Sequence, residues 1–168
     1  MREISLFSDI SLNPQLRVGF GAYLILFEAT QISQEEIKVR KFETSSSAEL
    51  EILNLLWAMG ELEESKPMID LFRNITIFTD SQCVDGLLHR RENLEKKCFI
   101  GSGSKKELKN SENYKKFYSL FDRLEFEIVK VKGHSSASKK DLIQKCFSSV
   151  DKASRKALRS FLETGILK

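Results

Sequence analysis

Short runs rich in β-branched, aromatic and leucine residues recur along the chain between polar breaks, and they predict five strands: Ile4 to Ser8, Val18 to Phe27, Glu36 to Phe42, Ile75 to Thr79 and Phe126 to Val131. Leu12-Asn13-Pro14 and the segment Thr30 to Ser33 supply turn residues after the first two strands, so the first three form an antiparallel meander. From Ser46 to Met59 the period changes. Leu50, Leu53, Leu56 and Trp57 form a helical stripe behind a serine cluster able to cap it. That helix lies between the meander and the fourth strand, a crossover that favours a fourth strand parallel to the first. Ser81 to about Arg90 reads as a further helix, and Tyr114 to Leu124 places Phe117, Leu120, Phe121 and Leu124 on one side of another. Val150, Ala153, Ala157, Leu158 and Phe161 trace the last one. The expected architecture is α/β, a five-stranded mixed sheet flanked by helices.

Composition narrows this without redirecting it. A chain of 168 residues, 41% hydrophobic and 30% charged, can close one core, and a single domain over residues 1–168 is expected. The longest apolar run, Phe20 to Phe27, is too short to span a bilayer, and no basic n-region with a cleavage site precedes it, so the expected setting is cytoplasmic with no membrane partner. Cys83, Cys98 and Cys146 are odd in number and lack paired metal-ligand spacing, which reads as reduced, packing cysteines. Charge is polarised. Residues 1–71 hold 6 Lys/Arg against 12 Asp/Glu, and residues 72–168 hold 21 against 12. Such asymmetry suits a protein that holds cations in one place and a polyanion in another, although solvated surface charge produces the same count.

The candidate chemistry lies in four carboxylates and a histidine. Asp9 closes the first strand run, Glu49 opens the first helix, Asp80 ends the fourth strand, and Asp151 lies within the last helix; His134 stands in a polar loop before it. Each acid has a plain structural alternative. Asp9 can start a turn, Glu49 is the fourth position of a Ser46-x-x-Glu49 capping box, Asp80 can cap the helix that follows it, and Asp151 can pair with Arg155 one turn on. Taken together they mean more. If the first and fourth strands are neighbours, Asp9 and Asp80 lie side by side near strand ends, and the helices can bring Glu49 and Asp151 over them. Like charges crowded in this way are costly unless cations occupy the centre. Oxygen ligands select hard cations, and two ions ~4 Å apart would clamp the attacking water and leaving oxygen of a phosphodiester.

Phe7-Ser8-Asp9, Thr44-Ser45-Ser46-Ser47-Ala48-Glu49-Leu50, Thr79-Asp80-Ser81-Gln82, Val131-Lys132-Gly133-His134-Ser135 and Val150-Asp151-Lys152-Ala153-Ser154-Arg155 resemble, in order, the successive motifs of type 1 ribonuclease H. The resemblance covers nearly the whole chain. It implies a metal-dependent endonuclease that cuts the RNA strand of RNA–DNA hybrids and leaves 5′-phosphate and 3′-hydroxyl ends. It also implies a monomer with two Mg²⁺ or Mn²⁺ ions per active site. Asp9, Glu49 and Asp80 would hold one ion beside the attacking water, and Asp9 with Asp151 the other. His134 falls where this family's histidine assists product release or proton transfer.

The same resemblance places Thr44, Ser45, Ser46 and Gln82 against the hybrid's backbone and minor-groove edges, where 2′-hydroxyls distinguish RNA from DNA. The chain departs from the family pattern in several places: Ile10 follows Asp9 where glycine is usual, the Gly-rich turn is shortened to Leu12-Asn13-Pro14, Ser45 replaces a frequent asparagine, the interval from His134 to Asp151 is longer than usual, and Phe147 stands where many members have a polar residue. The stretch from Glu92 to Asn110 has little apolar periodicity and reads as an exposed basic excursion, with Lys96, Lys97, Lys105 and Lys106 as candidate phosphate contacts. It lacks the tryptophan that anchors a similar protrusion in some bacterial relatives. Two other readings stay open: a non-catalytic domain of this fold that binds nucleic acid or protein, and a related DNA nuclease.

Overall fold

A computed structural model describes residues 3–27, 36–65, 74–132 and 141–165. The chain forms strands β1 (Glu3–Asn13), β2 (Val18–Phe27) and β3 (Lys38–Glu43), helix α1 (Ser47–Glu64), strand β4 (Asn74–Thr79) and helices α2 (Gln82–Asp85), α3 (Leu87–Lys96) and α4 (Ser111–Leu124). Strand β5 (Phe126–Lys130) and helix α5 (Leu142–Thr164) complete it. The sheet order is β3-β2-β1-β4-β5; β3, β2 and β1 run antiparallel, while β4 and β5 are parallel to β1. This is the expected five-stranded mixed sheet. No helix among the described residues is long and apolar enough to cross a membrane.

The side-chain alternation of β1 divides the core into two layers. Ile4 and Leu6 join Ile52, Leu55 and Met59 of α1 and Phe117 of α4 on one face. Phe7 joins Ala22, Leu24, Phe78 and the α5 residues Cys146 and Val150 on the other. Each fully buried side chain of this kind contributes about 2 kcal/mol of transfer free energy. Phe7 and Phe78 stack at 4.8 Å with their planes 11° apart. Because side chains repeat every second residue, that stack sets the residues two positions on, Asp9 and Asp80, on neighbouring chains above the α5 face.

Several boundaries differ from the sequence pattern for identifiable reasons. β1 does not stop at Asp9; it continues to Asn13 because β2 keeps pairing with it as far as Asn13↔Val18. Its parallel pairing with β4 ends earlier, at Phe7↔Phe78, so Asp9 lies on a strand flanked on one side only. The buried face of α1 is rotated from the expected stripe. Leu50, Ile52, Asn54, Leu55, Ala58, Met59 and Leu62 are buried, whereas Leu53, Leu56 and Trp57 are half-covered, since the helix packs on the sheet and α4 together. The helix after Asp80 is divided at Gly86 and runs on to Lys96, which removes the first part of the expected excursion. The remainder is folded back by an isolated bridge between Ile100 and Glu107 and anchored by buried Phe99. Cys98 is exposed and does not pack, unlike buried Cys146. The expected turn from Thr30 to Ser33 lies outside the described residues.

Candidate active site

The open end of β1 is built into a site by two serines that dock a helix on it. Ser154, completely buried in α5, donates to the Asp151 carbonyl at 3.0 Å, which leaves its oxygen to accept from Ser11 at 3.1 Å. Ser11 is two residues beyond Asp9 on the same face, so this bond holds the Asp151 turn of α5 over Asp9. Asp80 sits at the end of β4, with Ser81 capping α2 immediately after it. Three of the four expected acids are therefore neighbours at this end of the sheet, near enough to act on one another's charge.

Their electrostatics record the meeting. Asp9 is pushed up from 3.8 to about 8, chiefly by burial, next by the charge of Asp80, and further by neighbouring Asp151. Raised this far, Asp9 keeps its proton near neutral pH. Asp80 is exposed at the rim yet also raised, first by partial burial and then by Asp151, while Lys130 and Arg155 act in the opposite direction. Arg155 forms a 2.7 Å ion pair with Asp151, the i,i+4 contact that the sequence offered as an alternative role. That contact does not exclude a second role, because a carboxylate has two oxygens.

Glu49 is placed differently. Ser46 caps α1 by accepting from the Glu49 amide at 3.3 Å, but the reciprocal half of the capping box is missing: the Ser46 amide donates to Thr44 Oγ1 at 3.1 Å. Thr44 Oγ1 in turn donates to the Glu49 carboxylate, and Lys109 stands 3.6 Å from the same oxygen. Glu49 is thus engaged by Thr44 and Lys109 rather than by the three aspartates. Shortly after it on α1 lies an acid that the motifs did not signal. Glu51 accepts from Ser81 Oγ, and its carboxyl is raised, mainly by burial and also by Asp80. Among the described residues, no three His, Cys, Asp or Glu side chains already converge on a position that could hold a metal ion.

The family model of RNase H matches residues 1–157. This chain belongs to the RNase H family. A comparison with curated proteins finds no match. Among solved structures, it resembles LC9-RNase H1, a type 1 RNase H with the type 2 active-site motif, at TM-score 0.68 and 12% identity over 95% of this chain and 73% of that one. RNase H1 from the halophilic archaeon Halobacterium salinarum NRC-1 aligns at TM-score 0.62 and 11% identity, over 94% and 98% of the two chains. The foamy viral protease-reverse transcriptase in complex with RNA/DNA hybrid aligns at TM-score 0.61 and 12% identity; 92% of this chain covers 19% of that one.

Around the carboxylates of this RNase H family member, the expected substrate-side residues fall into distinct settings. Thr44 is buried and occupied with Glu49, Ser46 is half-buried as the cap, and Ser45 and Gln82 are exposed beside the two helix N-termini. Backbone N–H groups at such ends favour anions. In the basic excursion, Lys96 pairs with Glu92 at 2.6 Å and Lys97 donates to Ser102 at 3.3 Å. Lys105 and Lys106 are exposed and form no salt bridge with a described residue. His134 lies outside the described residues. The donor set suits a hard divalent cation: the clustered groups are carboxylate oxygens, two of them raised in part by neighbouring negative charge that a cation would relieve.

Proposed function

We propose that this protein is a metal-dependent endonuclease that hydrolyses the RNA strand of RNA–DNA hybrids, with products carrying 5′-phosphate and 3′-hydroxyl ends. The observation that carries this reading is the meeting of Asp9, Asp80 and Asp151 at the unpaired side of β1, with Asp9 raised to about 8. A structural fold gains nothing from three such acids; a cation site does. Mg²⁺ or Mn²⁺ would be held by Asp9, Asp80 and Asp151, with Glu49 joining them by leaving Lys109. Bound there, the metal supplies Lewis acidity and an activated water at neutral pH.

The chain's own residues do the rest. Asp9 must lose its proton for the site to load, and Lys130 and Arg155 favour the charged form of Asp80. Exposed Ser45 and Gln82, with Thr44 and Ser46 behind them, offer small polar groups to a wide minor groove and its 2′-hydroxyls. Hybrid as substrate is supported by family membership and by the likeness to a reverse transcriptase in complex with RNA/DNA hybrid. His134 is assigned a proton-transfer or product-release role on its motif.

The test is incubation of purified protein with end-labelled hybrid, duplex DNA, duplex RNA and both single strands, with Mg²⁺ and with chelator. Internal cuts confined to the RNA of the hybrid, and dependent on metal, are expected. Binding of hybrid that leaves every strand intact would replace the nuclease with a non-catalytic binding domain, and cutting of duplex DNA alone would make it a DNA nuclease.

A further inference from the structure

Behind Asp9, on the opposite face of β1, a polar side chain lies where the α1 core is otherwise apolar. Asn54 is completely buried, and its Nδ2 reaches three oxygens: Ser8 Oγ at 2.9 Å, the Asp9 carbonyl at 3.2 Å and the Ala22 carbonyl at 2.9 Å. Asp9 and Ala22 are register partners of β1 and β2. The amide therefore ties α1 to both strands at the level of the candidate metal site. Its own Oδ1 is buried without a partner among the described residues, so the donors are the groups in use. Gly21 makes the contact possible: a Cβ there would stand 2.1 Å from Asn54 Oδ1 and 2.8 Å from Asn54 Cβ. Glycine at 21 and asparagine at 54 form a matched pair.

We propose that Asn54 is a positioning residue for Asp9. Asp9 lies beyond the last parallel pair of β1 with β4, so one neighbouring strand is missing there, and the Asn54 amide takes over part of the restraint that a β4 partner would give. Holding the Asp9 main chain against β2 fixes where its carboxylate stands relative to Asp80 and Asp151. Groups that orient metal ligands in this way affect metal affinity as well as rate. The inference rests on the metal-site reading of Asp9 given above.

The test compares the parent with Asn54→Leu, which fills the same space without donors, and Gly21→Ala, which pushes on the amide from the strand side. Mn²⁺ affinity is measured by calorimetry on protein shown to be folded by circular dichroism, and kcat and KM on hybrid are measured separately. Both variants should bind Mn²⁺ about tenfold more weakly and lose about tenfold in kcat, with hybrid KM unchanged. A folded Asn54→Leu protein with parental Mn²⁺ affinity and kcat would overturn the proposal and leave Asn54 as a core residue only. If that variant fails to fold, Gly21→Ala decides, because parental metal affinity there would overturn it equally. A parent that binds no Mn²⁺ overturns the metal-site reading and this inference with it; a parent that binds Mn²⁺ while the variants do so equally well overturns the inference alone.

Discussion

Asp9 combines the most burial and the most neighbouring charge of the three clustered acids, and its protonation gives the account a pH signature. An unfolded aspartate titrates near 3.8, whereas folded Asp9 is raised to about 8. Below pH 4 both states hold the proton and its contribution to stability is fully present. As pH rises through 8 the folded state must give it up, and that contribution is lost. In chelator, the melting temperature of the parent should therefore fall relative to Asp9→Asn between pH 4 and 8, with the variant the more stable above pH 8. A difference between the two that is constant with pH would remove the strained proton from the site. The same protonation makes metal loading a proton release, so half-saturation should need more Mg²⁺ as pH drops below 8. His134→Ala should slow turnover by at most roughly a hundredfold while leaving hybrid affinity unchanged, and an equal loss of binding would move His134 to the substrate surface.

At the scale of elements, the basic segment after α3 makes the clearest prediction. Neutralising Lys105 and Lys106 should flatten the dependence of hybrid binding on salt by about 0.9 in log–log slope for each phosphate that the protein then leaves unneutralised. Lys96 and Lys97, already engaged by Glu92 and Ser102, should contribute less. An unchanged slope would mean that the segment does not meet the substrate. Strand pattern and helix order were legible in the sequence because period 2 and period 3.6 are local signals: β2 has the expected bounds, Val18 to Phe27. Extents set by tertiary pairing were not. β1 runs past Asp9 because of β2, and α1 turns its Asn54 side inward because it packs on the sheet and α4 together. The motif order pointed to Asp9, Asp80 and Asp151, but to neither Glu51 nor Asn54. Glu51 is held by Ser81, 30 residues away, and the three oxygens that Asn54 reaches lie on β1 and β2. A polar residue on the apolar side of α1 was the available clue.

For the whole molecule, the crossover topology puts β1 and β4 side by side, and α5 closes over their ends through Ser11 and Ser154. The segments of Asp9, Asp80 and Asp151 are thereby gathered around one position, so the acidic first part of the chain and the basic remainder both supply acids to it. Ser154→Ala should loosen that closure, lowering stability by about 1 kcal/mol in chemical denaturation and weakening metal binding; reduced stability with metal affinity intact would separate the α5 dock from the site. The most direct test of the central claim is single-turnover cleavage of a hybrid labelled on its RNA strand, parent against Asp9→Asn, in Mg²⁺. The parent should cut internally to 3′-hydroxyl ends and the folded variant should not cut at all; near-parental cleavage by Asp9→Asn would contradict the account.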